Sequence, residues 1–314
     1  MRVVFAGSPE IAVPSLEKVA LNFDIVGVLT NPDKVTGRGR KIKFNPVKTK
    51  AVELNLNVLQ PHSLNSEVRN TIISLKPDIL VVFAYGKIFG PKFLSMFPMG
   101  GVNVHPSLLP KYRGSSPILS AIINGENETG ISIQRINLEM DTGALLNQQF
   151  IKLSGNETTE SLSSFVSAEG AEIVVKTLKA IESGSINEKE QDHNLATYCT
   201  KINKEDGKIN WNESAVQIYR MIRAYTPWPK AFTQYKDKSL MILEGSVFNG
   251  ETDLSGEPGK VLGFDKDNGI LIQTGDGILV VKFLQLQSKK ANDWKSFING
   301  TQNFIGSVLG GNNE

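Results

Sequence analysis

Residues Gly101-Val-Asn-Val-His-Pro-Ser-Leu-Leu-Pro-Lys-Tyr-Arg-Gly114 decide the fold of this chain. The stretch begins as an apolar strand, and side chains in a strand alternate between the two faces of a sheet. The two valines therefore share one face, while Asn103 and His105 share the other. Pro106 has no N–H to donate to a strand ladder, so the strand ends there and a loop follows. We predict that this loop lies at the carboxyl edge of an open α/β sheet, where such sheets bind ligands.

The polar face of this strand has two interpretations on spacing alone. In one, Asn103 and His105 present an amide and an imidazole together to a ligand. In the other, Asn103 caps a turn and His105 is a hydrogen-bonded histidine of the core. Both interpretations remain open until other motifs are considered.

Strand and helix patterns alternate around this stretch and predict an α/β fold with a Rossmann-like, doubly wound, mostly parallel sheet. Arg2–Ser8 is a β-branched run followed by helical periodicity, but its turn lacks the G-x-G-x-x-G fingerprint and a Walker lysine. A nucleotide cofactor is therefore not expected there. Asp78–Ala84 is a continuous apolar strand of the kind buried on both faces, and Tyr85-Gly86 ends it with a tight turn. Thr129–Ile136 alternates and predicts a half-exposed strand.

The pattern changes after a polar segment, Glu182–Asn194. Several short strands separated by turn residues follow and predict a small OB-fold-like β-barrel. We place a catalytic domain at residues 1–188, a linker at 189–206 and the barrel domain at 207–314.

Composition limits the class of protein. The chain has 314 residues, 40% of them hydrophobic, and a net charge of +2, so any attraction to nucleic acid must come from a local patch. Cys199 is the single cysteine, which excludes a disulfide framework and a cysteine-based zinc site. No apolar run approaches the roughly 20 residues of a membrane span, and no signal peptide is visible. We expect a cytoplasmic monomer.

The segment Asn31–Lys50 is the most unusual part of the chain, because it carries seven cations and one acid, Asp33. Gly37 and Gly39 flank Arg38, so the backbone there has unusual conformational freedom. The residues alone favour neither of two interpretations, a solvated surface loop or a mobile loop that grips a phosphate backbone. The cations are Lys34, Arg38, Arg40, Lys41, Lys43, Lys48 and Lys50.

The motifs Asn103-Val-His105, Ser107-Leu-Leu-Pro110, Arg113-Gly114 and Asp141-Thr-Gly143 resemble the formyltransferase family that uses 10-formyltetrahydrofolate. The resemblance covers the whole chain and implies a Rossmann-like catalytic domain followed by an OB-fold-like domain that helps hold tRNA. It implies metal-free acyl transfer by a catalytic trio, Asn103, His105 and Asp141. Without it, Asp141 is better explained as a turn residue. The implied folate-binding residues are Ser107, Leu108, Leu109, Pro110, Ala84, Tyr85 and Gly86.

Each member of the implied trio has a chemical task in formyl transfer. Asn103 can donate an amide N–H to the oxyanion of the tetrahedral intermediate, and His105 can donate a second hydrogen bond. Asp141 can orient His105 and help move the proton from the incoming to the leaving nitrogen. Pro106 departs from the family pattern, in which some members carry glycine, and it should restrict the loop without changing the chemistry.

Within the family, this chain is most similar to the members that formylate the α-amine of initiator methionyl-tRNA. The resemblance implies that the basic loop enters the acceptor-stem region and that Arg38 is its most important residue. The tRNA contacts implied are Arg38, Arg40, Lys41 and Lys43.

Three other functions deserve comparison with this one. A glycinamide ribonucleotide formyltransferase would be shorter and would carry a glycine-rich phosphate site in its first turn, which here is Gly7-Ser-Pro-Glu10. A sugar-nucleotide formyltransferase shares the trio and a barrel-like second domain, but the basic loop favours tRNA. A non-catalytic RNA-binding protein with a relic fold would not need an intact trio.

Overall fold

The structure, a computed structural model, describes residues 1–36 and 41–310, with the side chains of all of them except positions 34–36, 41 and 42. The predicted tRNA contacts Arg38 and Arg40, and the side chain of Lys41, lie outside this description. Within it the strands are, in chain order, β1 (Arg2–Gly7), β2 (Asp24–Leu29), β3 (Lys34–Thr36), β4 (Lys41–Lys43), β5 (Val58–Leu59), β6 (Ile79–Phe83), β7 (Gly101–His105), β8 (Arg113–Gly114), β9 (Glu128–Arg135), β10 (Leu145–Lys152), β11 (Tyr198–Cys199), β12 (Ala231–Tyr235), β13 (Lys238–Val247), β14 (Val261–Asp265), β15 (Gly269–Gln273), β16 (Ile278–Leu286) and β17 (Asn292–Asp293).

Several of the helices begin where the sequence supplies a capping side chain. The side chains of Asn45, Asn65, Ser214 and Asp293 each accept an N–H from the first turn of the helix that follows, which satisfies a donor that the helix itself leaves unpaired. The α-helices of the described residues are α1 (Val13–Asn22), α2 (Pro46–Glu53), α3 (Ser66–Ser74), α4 (Pro91–Leu94), α5 (Pro117–Ile123), α6 (Thr159–Glu182), α7 (Ala215–Tyr225) and α8 (Trp294–Gly300).

The larger sheet has the strand order β10-β9-β7-β6-β1-β2-β5. The strands β5, β2, β1, β6 and β7 are parallel, while β9 pairs antiparallel with β7 and with β10. The predicted mostly parallel sheet is therefore confirmed. After β1, the chain adds β2 and β5 on one side of it, and then adds β6, β7, β9 and β10 on the other side. The direction of strand addition therefore reverses between β1 and β6, and ligands of such sheets bind at this point, outside the carboxyl ends of the strands.

Both faces of this sheet are buried. On one face, Val4 and Leu80 pack with Ile72 of α3 and with a row of aromatic side chains that follows β6. On the other face, α6 crosses the sheet, and a Cβ built at Gly170 would lie 3.5 Å from Cγ1 of Val104. This double covering explains why β6 reads as a continuous apolar run.

The prediction that Thr129–Ile136 is half-exposed was wrong. In β9, Ile131 and Ser132 are both 0% exposed and Gln134 is 2% exposed. The hydroxyl of Ser132 accepts the N–H of Leu109 at 3.1 Å and donates to the carbonyl of Ser107 at 2.7 Å. The polar side chains of β9 thus contact the loop that follows β7. The alternation of polar and apolar residues in β9 therefore reflects a buried polar face and not a solvent-exposed one.

The prediction that Asn31–Lys50 is a loop also needs correction. Strands β3 and β4 pair as a hairpin, and α2 follows. Lys48 lies 2.5 Å from the carboxylate of Asp33, and Lys50 lies 2.9 Å from Glu17 and 2.7 Å from Glu53. Because the cap of Asn45 starts a helix, Lys48 is brought to Asp33, which directly precedes β3, and Lys50 is brought to carboxylates of α1 and of its own helix.

The contacts divide the chain into two compact units. One comprises residues 1–117, 128–152 and 162–200, and the other comprises 118–127, 153–161 and the chain from Lys201 onward. The domain boundaries at 188 and 207 stay a prediction. Of the predicted linker, Lys189 pairs with Leu145 and β11 pairs with β8, both inside the first unit.

The second unit is built on an antiparallel sheet with the order β12-β13-β16-β15-β14, and β17 pairs with β16. Its core gathers apolar side chains from the strands, from α7 and α8 and from the segments before α7 and after α8, including Trp211, Ile222, Leu240 and Phe304. A small antiparallel β domain after the parallel sheet is therefore confirmed. Across residues 1–36 and 41–310, the helices are all too short or too polar to cross a bilayer.

Candidate active site

The polar face of β7 lies opposite the polar face of β9. The register pairs Asn103 with Gln134 and His105 with Ser132, and directly paired residues of antiparallel strands place their side chains on the same side of the sheet. Asp141 follows β9 in a turn and reaches the same place. The structure thus brings together Asn103, His105 and Asp141, the three residues that the motifs single out.

His105 is fixed by a hydrogen bond that sets its tautomer. It is 4% exposed, and its Nε2 lies 2.9 Å from the carbonyl oxygen of Tyr112. A carbonyl only accepts hydrogen bonds, so Nε2 carries the proton and Nδ1 holds the lone pair of the neutral ring. Nδ1 lies 3.5 Å from Oδ1 of Asp141. Burial lowers the pKa of His105 below its ordinary value, and the Asp141 carboxylate only partly offsets this, so the ring is neutral at pH 7.

Asp141 is held by three donors in a strained turn. Its φ of 56° is in the left-handed region, which is uncommon for a residue with a side chain. Oδ2 accepts the N–H of Gly114 at 2.8 Å, and Oδ1 accepts Nε2 of Gln134 at 2.8 Å and Nδ2 of Asn103 at 3.4 Å. The carboxylate is therefore immobilised between the strand ends, and it orients the Asn103 amide as well as facing His105.

Two glycines allow the backbone segments around Asp141 to pack closely against their neighbours. A Cβ at Gly143 would lie 1.9 Å from the carbonyl oxygen of Arg135, and one at Gly114 would lie 2.0 Å from that of Cys199. Side-chain carbons do not approach oxygen so closely, and Gly114 also has a φ of 120°. The glycines of Asp141-Thr-Gly143 and Arg113-Gly114 are thus required by packing around the aspartate.

Sequence reasoning missed a buried pair of hydrogen-bonded side chains, Arg113 and Gln191, which supports the Asp141 turn and is called the strut below. Arg113 is 2% exposed, and its Nη2 donates to Oε1 of Gln191 at 2.7 Å. Nε2 of Gln191 donates to the carbonyl oxygens of Gly143 at 2.7 Å and Asp141 at 3.0 Å. Nη2 of Arg113 also lies 3.1 Å from Nδ1 of His193. Gln191 had been assigned to the predicted linker, and nothing in its sequence spacing points to the site.

We expect Gln191→Leu to destabilise the protein by about 2–4 kcal/mol, because it leaves the buried Arg113 guanidinium without its main acceptor. Gln191→Glu separates the two roles of the side chain, since it keeps an acceptor for Arg113 but loses the donors to the carbonyls of the Asp141 turn. Its kcat should fall while most of its stability is retained. Chemical denaturation and steady-state kinetics of both variants test this. Full activity in Gln191→Glu would remove the strut from any role in placing Asp141.

The residues predicted to bind folate differ in accessibility. Ser107 is 0% exposed, and its hydroxyl donates to the carbonyl of Lys111 at 2.6 Å. Leu108 packs against Gly130, where an added Cβ would lie 2.3 Å from it. Leu109 is buried, its carbonyl accepts Nε2 of Gln148 at 2.9 Å, and its bond to Pro110 is cis. The loop is therefore anchored to β9 and β10, and the first three side chains serve that anchoring.

The turn after β6 is more open. Ala84 and Gly86 are exposed, and a Cβ at Gly86 would meet no atom within 4 Å. Tyr85 is 1% exposed, and its ring stacks on Phe89. Its hydroxyl has no hydrogen-bond partner among the described residues, and burial raises its pKa to about 12. Any contact between this turn and a ligand would therefore be made mainly by its backbone.

Of the predicted tRNA contacts, Lys43 is the one whose side chain is among those described. Lys43 is exposed at the end of β4. Nowhere in the described part of the chain do three or more histidine, cysteine, aspartate or glutamate side chains form a group able to hold a metal ion.

Comparison with known proteins identifies the family of this chain. The family described as formyl transferase matches residues 1–178, and its C-terminal domain matches residues 201–302. The chain therefore belongs to the formyl transferase family. Among its relatives, the protein named methionyl-tRNA formyltransferase from Borrelia turicatae is 44% identical over 98% of this chain and 100% of its own length. The protein of the same name from Treponema denticola is 42% identical over 97% of this chain and 98% of its own.

Solved structures share the fold at lower identity. WlaRD, a sugar 3N-formyl transferase studied with dTDP and 5-N-formyl-THF, superposes with a TM-score of 0.66 at 21% identity, covering 92% of this chain and 99% of its own. An N-formyltransferase from Helicobacter canadensis, in complex with folinic acid and dTDP-3-aminofucose, gives 0.66 at 22% identity, covering 89% and 98%. At this identity the likeness concerns the fold alone.

Proposed function

We propose that this protein transfers the formyl group of 10-formyltetrahydrofolate to the α-amino group of methionyl-tRNA. The observation that carries the proposal is the full-length identity of above 40% to proteins named for that reaction. The clustering of Asn103, His105 and Asp141 at the carboxyl edge of the sheet supports it, because acyl transfer needs an oxyanion donor and a proton carrier at one place. We propose the cytoplasm, where aminoacyl-tRNA is made, as the compartment.

The reaction forms a bond between the methionyl nitrogen and the formyl carbon and breaks the bond from that carbon to N10 of the folate. An α-amino group has a pKa of about 7.7–8.0, so a useful fraction is already neutral and nucleophilic at pH 7. Asn103 has two amide N–H groups, and Asp141 engages one of them. The other is available for the oxyanion that develops on the formyl oxygen.

Proton transfer falls to His105. Because Nε2–H is engaged by the Tyr112 carbonyl, the neutral ring has no N–H left for the oxyanion, and Nδ1 is the atom that accepts a proton from the attacking amine. The resulting imidazolium carries its new N–H beside the carboxylate of Asp141, 3.5 Å away. The same proton can then pass to N10 as the tetrahydrofolate leaves, so the protons balance and no other reactant is needed.

The formyl donor would occupy the open edge beside the trio. The exposed backbone of Ala84 and Gly86 lies at the end of β6, next to β7 in the sheet. The Ser107–Pro110 loop bounds the other side and is braced by Ser132 and Gln148. Ligands of open α/β sheets bind outside the carboxyl ends of the strands, which supports this position for the formyl donor.

A direct test supplies the purified protein with 10-formyltetrahydrofolate and three RNAs that differ only at the acceptor end. Methionyl-tRNA should become formylated, whereas deacylated tRNA and N-acetylmethionyl-tRNA should not, since neither offers a free amine. Formylation of none of the three, under conditions in which the donor is intact, would refute the proposed function.

The basic segment is proposed to hold the acceptor arm of the tRNA. Arg38→Ala and Lys43→Ala should lower kcat/KM for methionyl-tRNA and flatten its salt dependence, because each phosphate contact adds about 0.9 to the slope against log salt for a duplex. Lys50→Ala is the matched control, since Glu17 and Glu53 already neutralise that lysine. The measurement is kcat/KM against salt for the wild type and the three variants. If the salt slope of kcat/KM is unchanged in Arg38→Ala, the segment is a solvated surface that does not bind tRNA.

A further inference from the structure

The second unit contains a cavity of about 230 Å³ that the proposed chemistry does not use. The end of α5 and the turn after it, the segment 153–157 and one side of α7 enclose it. Its polar lining includes Glu126, Glu157, Tyr219, Arg220 and Arg223. Two arginines one helical turn apart therefore share one small cavity.

Arg223 is a buried cation with unused donors. It is 8% exposed, and its Nη1 donates to the carbonyl of Glu157 at 2.6 Å. Its guanidinium lies over the ring of Tyr219, with Cζ 4.7 Å from the ring centroid. Its Nε–H is buried and has no acceptor within the described residues. An unsatisfied buried donor on a charged group is costly, so an acceptor brought to this end of α7 would stabilise the guanidinium.

Arg220 adds a second cation to the same wall. Its guanidinium lies against Gly125, where an added Cβ would come within 2.1 Å of Cζ. Neither a carboxylate nor any other acceptor of the described residues is hydrogen-bonded to it. Burial lowers the pKa of Arg223, the charges of Tyr219 and Glu157 partly offset this, and the charge of Arg220 acts in the same direction as burial. The two guanidinium groups thus lie close enough for their charges to interact.

The carboxylates of the cavity are engaged elsewhere. Oε1 of Glu157 accepts the N–H of Ser154 at 2.6 Å and its hydroxyl at 2.8 Å, and Oε2 accepts the N–H of Gly155 at 3.0 Å. Glu126 also has a partner. Among the described residues, neither carboxylate is hydrogen-bonded to the free donors of the arginines, and an anion with several acceptor oxygens has the chemistry to pair with them.

We propose that this cavity binds one phosphate group of the tRNA backbone. Guanidinium groups hold phosphate through paired N–H donors, and the two arginines offer such donors side by side. Leu153 and Val216 also line the cavity, and these apolar walls suit the sugar of a phosphodiester better than the water shell of a free ion. The inference rests on the proposed function, because it takes tRNA as the source of the phosphate.

The test uses Arg220→Gln, which removes a half-buried cation without a hydrogen-bond partner in the described part of the chain and should leave folding intact. Lys266→Gln removes one positive charge from an exposed turn outside the cavity and is the matched control. We expect Arg220→Gln to lower kcat/KM for methionyl-tRNA about tenfold and to reduce its salt slope by about 1. Lys266→Gln should change neither quantity. Equal values for Arg220→Gln and the wild type would overturn the proposal.

A second measurement follows the ¹⁵N resonance of the Arg223 Nε–H during titration with inorganic phosphate. The resonance should shift in the wild type and in Lys266→Gln, but not in Arg220→Gln. Absence of a shift in the wild type would overturn the proposal. A shift without any change in tRNA kinetics would assign the cavity to a free anion, which also overturns it.

Failure of the proposed function would be recognised separately. If the wild type does not formylate methionyl-tRNA, the salt dependence of tRNA binding by the same variants decides whether the cavity holds a phosphodiester. Weaker tRNA binding with a flatter salt dependence in Arg220→Gln would still support a phosphodiester site in the cavity. Binding and salt dependence identical to those of the wild type would refute it.

Discussion

Asn103→Ala is expected to lower kcat for formyl transfer by about 10²–10³, the usual cost of losing one oxyanion donor. Two neighbouring donors are already engaged. The Nε2–H of His105 is engaged by the Tyr112 carbonyl, and the Gly114 N–H by Asp141. KM for methionyl-tRNA should change little, because the interaction is made mainly in the transition state.

The control for this variant is Asn147→Ala. Asn147 lies on β10 in the same unit, and its amide donates to Thr177 at 3.3 Å, outside the group around Asp141. It should keep near wild-type turnover. Wild-type kcat in Asn103→Ala, with the variant shown to be folded by circular dichroism, would remove Asn103 from the chemistry.

Asp141→Asn should lower kcat by about 10²–10⁴, the range over which positioned acid–base groups contribute. The carboxylate accepts from the Gly114 N–H and from Gln134 at the same time. An asparagine would turn one of its acceptor oxygens into an NH₂ donor, so one of these partners would face a donor. The imidazolium that forms on His105 would also lose its counter-charge. Steady-state kinetics with methionyl-tRNA measure this loss.

The same variant predicts a change in titration. Burial holds the pKa of His105 below its ordinary value, and Asp141 acts in the opposite direction. In Asp141→Asn the pKa should therefore fall further, and the neutral ring should persist to lower pH than in the wild type. The chain has 3 histidines, so the His105 Cε1–H resonance can be assigned and titrated by NMR. A pKa equal to or above the wild-type value would contradict the contact between the two side chains.

The placement of Asn103 and His105 could be predicted because it depends on local rules. Alternation along a strand puts the two side chains on one face, and a proline ends that strand. The continuous apolar run at β6 likewise predicted that this strand is buried on both faces of a parallel sheet. Each of these inferences needs only a few consecutive residues.

The rest of the site depends on pairs that are distant in sequence. The polar alternation of Ser132 and Gln134 looked like a solvent-facing strand, and only the register of β9 against β7 shows that it faces the site. The tautomer of His105 is set by a backbone carbonyl, which no side-chain motif reveals. Gln191 reaches Asp141 across a separation of 50 residues. Such contacts depend on the topology of the sheet, so they could not be predicted from the sequence alone.

The basic segment illustrates the same limit for charge. A count of seven cations against one acid ignores carboxylates supplied by other elements. Lys50 is paired with Glu17, which lies on α1. The cations that matter for tRNA must therefore be chosen by pairing in the structure, which is why Lys50 is a control and Lys43 is a test.

The most direct measurement is a competition for one formyl donor. Wild-type protein is mixed with 10-formyltetrahydrofolate, methionyl-tRNA and an amino-sugar nucleotide such as dTDP-3-aminofucose, and both products are quantified by mass spectrometry. Formylmethionyl-tRNA should form almost exclusively, and its formation should collapse in Asn103→Ala. Formylation of the sugar nucleotide in preference to the tRNA would contradict the proposed function, even if the trio were needed for it.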